Sequence, residues 1–313
     1  MTSKSSHITS HPSPSITVLM PVYNAQTYLA EAIESILNQS HKDFELICMN
    51  DGSTDNSLNI LLGYQKCDPR IKVLSQENQG VVGSRNNALT HAKSEYIALM
   101  DADDVCDPTR FEKQLAFLKA NPDHVAVGSF LIRSDPYGFP AGTQKPPLNH
   151  ETIDAALLKG NGSAITQATM MIRTSALKAI NGWSPKYNFV EDLDMQLRLA
   201  EQGKLANLPR TLYTYRRHLG SFCVSNYKTM CTQIEDIVND AHKRRNTGNL
   251  VRLDTLRPDL NESWSTAKIY RNWACHAIHN HNRKIALRHA AHALCHEPLN
   301  IQSWKVAYWS LSA

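Results

Sequence analysis

Four times between Ile16 and Leu118 a short apolar run is followed by a stretch with helical spacing, and this alternation constrains the fold more than any other feature of the chain. The runs are Ile16 to Pro21, Phe44 to Met49, Ile71 to Leu74 and Tyr96 to Met100. Between them, Tyr28 to Asn38 carries Leu29, Ile33, Ile36 and Leu37 as one helical stripe, and Thr54 or Asp55 can cap a helix bearing Leu58, Leu61 and Leu62. Val81 to Ala92 gives a third helix, and Asp107-Pro108 opens a fourth with Phe111, Leu115 and Leu118 on one side. His124 to Ile132 reads as a fifth strand. Short, mostly apolar runs suit strands buried on both faces, and strand–helix alternation predicts an α/β fold on a parallel, doubly wound sheet. After Ser134 a Pro/Gly-rich stretch reads as a mobile loop, followed by a strand over 166–172, helices over 175–180 and 190–202, and an extended segment over 205–215. From Tyr227 the pattern is helical to the end, with a break around 247–258.

Composition narrows the class. With 42% hydrophobic and 20% charged residues over 313 positions, collagen, coiled-coil and wholly disordered readings are excluded. No apolar stretch approaches the roughly 18–20 residues that cross a bilayer. The first fifteen residues, rich in Ser, His and Pro, read as a flexible tail and not a secretion signal. Seven cysteines without a C-x-x-C pair point away from zinc and disulfide scaffolds and toward a reducing, cytoplasmic setting. Residues 1–225 hold 21 Lys/Arg against 22 Asp/Glu, whereas 226–313 hold 12 against 7 and seven of the fourteen histidines. The excess positive charge therefore belongs to the C-terminal quarter, which reads either as a solvated helix face or as a surface for an anionic membrane or acidic partner.

Ligands of open parallel sheets bind beyond the carboxyl ends of the strands. Three such ends present unusual groups: Pro21-Val22-Tyr23-Asn24, Asp51-Gly52-Ser53 and Asp101-Ala102-Asp103-Asp104. Two carboxylates one residue apart suit a hard divalent cation that keeps waters and accepts phosphate oxygens. Tyr23 beside Asp51 can stack on a base and hydrogen-bond its edge, and Arg85 can add a fork for phosphate. Each also has a plain reading, as an acidic turn, a helix cap, an edge-packing ring or a surface arginine. Their joint placement at neighbouring strand ends favours the site, because core packing has no need of that alignment.

The series TVLMPVYN, FELICMNDGSTD, ENQGVVGSRNNAL, YIALMDADD and VEDLDMQLRLAEQG resembles family 2 glycosyltransferases of the GT-A fold, over roughly residues 15–220. The resemblance implies a Rossmann-like, mostly parallel sheet flanked by helices, followed here by an all-helical extension. It implies that Pro21, Val22, Tyr23 and Asp51 hold the base of a nucleotide-sugar, usually UDP. Asp101 and Asp103 would meet ribose and diphosphate-bound Mn2+ or Mg2+, with Arg85 near the donor. Asp192 of the Glu191-Asp192 pair would be the general base; a helix N-terminus decorated with acids is the plain reading of that pair. Arg216, Arg217 and His218 would close over the diphosphate, His218 as a possible metal ligand, and Trp183 would contact acceptor unless it is simply buried. Two departures stand out: Asn50 replaces the usual first acid of the Asp-Asp-Gly-Ser stretch, and Gln196-Leu197-Arg198 lacks the Gln-x-x-Arg-Trp run of processive members. These features imply an inverting, single-addition bacterial-type enzyme moving sugar from a UDP-sugar to a lipid-linked or saccharide acceptor in cell-surface polysaccharide assembly, with no nucleic-acid partner. A sugar nucleotidyltransferase would open with a glycine-rich loop after the first strand, which is missing; a non-catalytic scaffold would have no use for Asp101, Asp103 and Asp192.

The expected division is a tail over 1–15, a catalytic domain over 16–225 and a helical region over 226–313. In the last, Tyr270, Ala274, Ala277, Ala286, Ala293 and Pro298 resemble one tetratricopeptide unit, docked as a cap with Trp304 and Tyr308 as packing. Its histidines (276, 279, 281, 289, 292, 296) are spaced too irregularly for a metal site and read as solvated or partner-facing. The basic tail would bring the enzyme to the inner face of the membrane by charge and not by insertion.

Overall fold

The computed structural model describes residues 14–219, 227–248 and 265–312. Its first half is the expected parallel sheet: β1 (Ile16–Val22), β2 (Phe44–Asp51), β3 (Ile71–Gln76) and β4 (Tyr96–Leu99), in spatial order β3-β2-β1-β4. All of β2 and β4, and all of β1 except Pro21, is buried, as strands covered on both faces must be. Pro21 lies past the point, at Leu19, where β4 stops pairing with β1, so its missing N–H interrupts no bond to that neighbour. Helices α1 (Leu29–Leu37), α2 (Ser57–Cys67) and α3 (Gly80–His91) make the crossovers, and α4 (Arg110–Ala120) follows β4 and the two-residue β5 (Val105–Cys106).

The second half departs from a doubly wound plan. The fifth long strand, β6 (His124–Ser134), does not extend the parallel sheet beside β4; β8 (Met171–Arg173) stands between them, antiparallel to both. Beyond β6, β9 (Lys204–Arg216) runs parallel to it and β5 closes the edge antiparallel to β9. The strand expected over 166–172 is a 3-10 turn at Gln167–Thr169 leading into β8. The Pro/Gly-rich stretch folds back as β7 (Pro140–Gln144), antiparallel on β6, where a mobile loop was expected. Arg110 secures the junction between the halves. Its guanidinium, fully buried, donates to the carbonyls of Leu99 (2.9 Å) and Met170 (3.1 Å), joining the end of β4 to the entry of β8.

Two helical layers cover the sheet. α1, α2 and α4 bury Leu29, Ile33, Ile36, Leu61, Phe111 and Leu118 on one face. On the other, α3 packs with α5 (His150–Leu157), α6 (Thr174–Ala179), α7 (Glu191–Ala200) and α8 (Tyr227–Arg244). α8 gives Ile237, Val238 and Ala241 to this main core and so packs with the sheet.

Helices α9 (Thr266–His279), α10 (Arg283–His296) and α11 (Ile301–Ser312) form a separate small unit. Small residues (Ala274, Ala277, Ala286, Ala290, Ala293) are buried where α9 and α10 meet, in keeping with a repeat-like hairpin. The unit stands on the turn after β6: His289 Nε2 lies 2.6 Å from Asp135 Oδ2 with both side chains buried, and the Arg288 guanidinium lies over the Tyr137 ring. His289 is thus neither solvated nor free to face a partner. His292 and His296 stack on Tyr270, with ring centroids at 4.7 and 5.7 Å. Trp304 and Tyr308, expected as packing, are 59% and 69% exposed.

Candidate active site

The carboxyl ends of β1, β2 and β4 lie side by side, because those strands are register neighbours in one parallel sheet. At the end of β1, Val22 is buried and Tyr23 is 53% exposed. Asn24, at positive φ, accepts from Thr54 N (2.8 Å) and its own N–H donates to Ser53 Oγ (3.1 Å), which laces the first strand end to the second. Asp51 ends β2 with Oδ1 accepting from Gln76 Nε2 (2.7 Å) and Gln79 N (2.9 Å). Gly52 has φ +72, and a Cβ there would lie 3.0 Å from Asn78 N, so glycine lets the turn press against the segment that orients Asp51. Asn50, in place of an acid, accepts from Ser53 N (3.2 Å) and holds the turn.

The end of β4 carries the acidic cluster. Asp101 accepts from Arg85 at 3.0 Å, and the other arm of the same guanidinium donates to Glu191 Oε1 at 2.8 Å. Arg85 comes from α3 and is nearly buried, above the ring of Trp183 at 5.8 Å. The fork expected to meet phosphate is thus engaged by two carboxylates. Asp103 Oδ2 lies 2.9 Å from His218 Nε2, pairing the strand end with the segment after β9. Asp104 points inward, is buried, and accepts the Arg216 N–H at 2.7 Å. Burial, together with Asp103 and Asp101 nearby, holds it well above the usual carboxylate range.

Arg216 is a keystone of the loop. Its guanidinium donates to Glu31 Oε2 (2.6 Å), the Asp103 carbonyl (2.9 Å) and the Pro136 carbonyl (3.3 Å), and it lies over Tyr28 at 4.6 Å. With a side chain only 4% exposed and three protein partners, it positions the acidic loop. Arg217, by contrast, is exposed. Tyr28 and Glu31 escaped the sequence reading: neither stands in a motif, and both meet Arg216 only through the fold.

Helix α7 begins at the Glu191-Asp192 pair. Asp192 Oδ1 accepts from Leu193 N at 2.8 Å, and burial raises its pKa. Burial likewise pushes Glu191 up to about 7, outweighing the opposing pull of Arg85, and the two carboxylates repel each other. Trp183, expected to touch acceptor, is 1% exposed; its indole N–H donates to Gln167 Oε1 (2.6 Å), and its backbone is clasped by Asn86. It is the buried alternative, a floor under Arg85. Taken together, one site gathers two adjoining strand ends, an Asp/His pair and a carboxylate pair with raised pKa values. Such a set can hold a nucleotide and remove a proton from an incoming hydroxyl.

The chain matches the model of "Glycosyl transferase family 2" over residues 17–180. It is 36% identical over 214 residues to EpsE of Bacillus subtilis, named as a glycosyltransferase, covering 67% of this chain and 75% of that one. In three dimensions it matches S. aureus TarS residues 1–349, solved with UDP-GlcNAc, at TM-score 0.59 and 16% identity, over 95% of this chain and 92% of that one. It also matches a mannosyltransferase of Pyrobaculum calidifontis, solved with GDP-Man and Mn2+, at TM-score 0.54 and 16% identity, over 96% and 80%. Over nearly its whole length the chain thus shares the GT-A fold of these transferases. The chain belongs to glycosyl transferase family 2 and is a glycosyltransferase.

Proposed function

We propose that this enzyme moves a sugar from a UDP-sugar to a saccharide or lipid-linked acceptor in polysaccharide assembly, at the cytoplasmic side of a membrane, with inversion at the anomeric carbon. The observation that carries this reading is the Arg85 bridge, which holds the Asp101–Asp103 edge and the Glu191-Asp192 pair in one site. The TarS match, a protein solved with UDP-GlcNAc, supports a uridine nucleotide. In this reading Tyr23 stacks on the base, flanked by Pro21 and Val22, Asp51 accepts from its edge, and Asp101 faces the ribose. Asp192 accepts the acceptor hydroxyl proton while that oxygen attacks opposite the departing diphosphate. Arg217 stands exposed beside the diphosphate position, and Arg216 keeps the loop in place.

The residues fit a Mn2+ or Mg2+ ion. Asp103 and His218 present an oxygen and a nitrogen 2.9 Å apart on partly exposed side chains, and such ions complete their shell with waters and phosphate oxygens. Among the described residues no group of three or more acidic, His or Cys side chains makes a closed cage. Asp103 and His218 would hold the ion, which when bound neutralises charge on the leaving diphosphate.

Calorimetric titration with UDP, with and without Mn2+, tests the reading: binding should require the metal or strengthen with it, and Asp103→Ala should remove that dependence. Metal-independent UDP binding, or none, would count against it. Tyr23→Ala should weaken UDP binding by about 1–3 kcal/mol, the scale of one base-stacking contact, without moving the melting temperature. Activity should also depend on pH. A base must be unprotonated, so kcat/KM should fall as pH drops through the range set by the coupled Glu191-Asp192 pair. Glu191→Gln removes the carboxyl that burial pushes up to about 7 and should leave a limb that belongs to Asp192; disappearance of the limb with this substitution would make Glu191 the base.

A further inference from the structure

Helix α11 is built the wrong way round for a solvated surface. Its buried positions are Ser303, Val306 and Ser310, whereas Trp304, Tyr308, Trp309 and Leu311 are each more than half exposed. Ile301 at its start is 66% exposed and Leu299 just before it 98%. A contiguous apolar face of this kind marks an interaction surface. Its aromatic content is specific. Trp and Tyr join an apolar ring to a polar tip and collect at the boundary between water and hydrocarbon. The Trp304 indole N–H already donates to the Pro298 carbonyl at 2.8 Å, so the ring can leave water without stranding its donor.

Charge selects the partner. From 265 to 312 the chain carries Lys268, Arg271, Arg283, Lys284, Arg288 and Lys305 against a single acid, Glu297, which is itself paired with Arg271 at 2.7 Å. The short connections between α9, α10 and α11 make them antiparallel neighbours. The exposed Arg283 and Lys284 at the start of α10 therefore stand at the same end of the unit as Tyr308 and Leu311. Two copies meeting through this face would set like charges against each other. An anionic lipid surface meets both features.

We infer that α11 lies in the headgroup layer of an anionic phospholipid bilayer, seating Trp304, Tyr308 and Trp309 at the hydrocarbon boundary while neighbouring cations meet the lipid phosphates. This deepens the proposed function, resting on its reading that the enzyme works beside a membrane, and it replaces attraction by charge alone with shallow insertion. Among the described residues no helix is long and apolar enough to cross a membrane, so the contact is in the plane of the surface.

The full chain should co-sediment with vesicles of phosphatidylglycerol and phosphatidylcholine, and at least tenfold less with phosphatidylcholine alone. Its tryptophan emission should shift to the blue and be quenched by lipids brominated on the acyl chain. Tyr308→Ser with Trp309→Ser should lower vesicle binding at least tenfold and abolish the quenching, with unchanged melting temperature and UDP affinity. Lys284→Glu with Lys305→Glu should weaken binding without altering the rings. Binding without quenching would overturn insertion, and absence of binding would overturn the membrane contact altogether. A concentration-dependent dimer dissolved by the aromatic double variant would assign the face to a second copy. Failure of UDP to bind would strike the donor reading and leave the vesicle result standing.

Discussion

Asp192→Asn should lower kcat by about 10²–10⁴, the usual worth of a positioned general base, while the folded protein survives intact. The substitution is nearly isosteric, and the asparagine Oδ1 can still accept from Leu193 N, the bond that Asp192 makes now at 2.8 Å. What disappears is a carboxylate able to take a proton. Donor binding should be untouched, because in the proposed mechanism Asp192 lies opposite the leaving group. Single-turnover transfer and UDP titration on one preparation separate the two effects; near-normal transfer by this variant would remove Asp192 from the mechanism. Asp192→Ala should lose activity to the same extent and some stability as well, because the Leu193 N–H at the start of α7 then loses its side-chain acceptor.

Arg85→Ala should be the most damaging single change to the architecture of the site. The arginine side chain is 8% exposed and Glu191 12%, with Asp101 somewhat more open at 29%. Removing one member of an enclosed ion network leaves the others charged without a partner, a loss of about 3–5 kcal/mol. Water at Asp101 places the expected value toward the lower end. Arg85→Lys keeps the charge but cannot span both carboxylates, since a lysine ammonium lacks the planar fork. It should recover stability in part and transfer hardly at all. Urea denaturation and kcat together provide the check: an Arg85→Ala protein with wild-type midpoint and activity would show that the bridge does not organise the site.

The first half of the fold was legible because each of its strands announces itself. Ile16 to Val22 and Phe44 to Asp51 are mostly apolar runs, interrupted by Thr17 and Glu45 and ending in turn residues, and nearly all of both is buried. The second half was not. β8 is three residues long and reaches its place through a 3-10 turn, so its apolar residues look like one longer strand. Nothing local tells that β8 would take the edge of β4 and turn β6 away; the Arg110 guanidinium that ties those ends together looks like any helix arginine. The site divides in the same way. Tyr23, Asp51, Asp101 and Asp103 lie in contiguous motifs at strand ends and could be read from them. What Arg85, Arg216 and Trp183 touch depends on partners up to 185 residues away, and all three prove to be enclosed supports within the fold. In α11 the helical period was readable but its sense was not, because Ser303 and Ser310 face inward where Trp304 and Tyr308 were expected.

The turn after β6 connects two parts of the molecule that are otherwise far apart in sequence. Asp135 holds His289 of α10, while the very next carbonyl, Pro136, receives the guanidinium of Arg216. A tilt of the three C-terminal helices would pull on the turn that also holds Arg216 and, through it, on the acidic loop. On the proposed mechanism, whatever surface those helices rest on shares a turn with the loop assigned to the leaving group, so an enzyme seated at its workplace and one adrift from it need not share the same turnover.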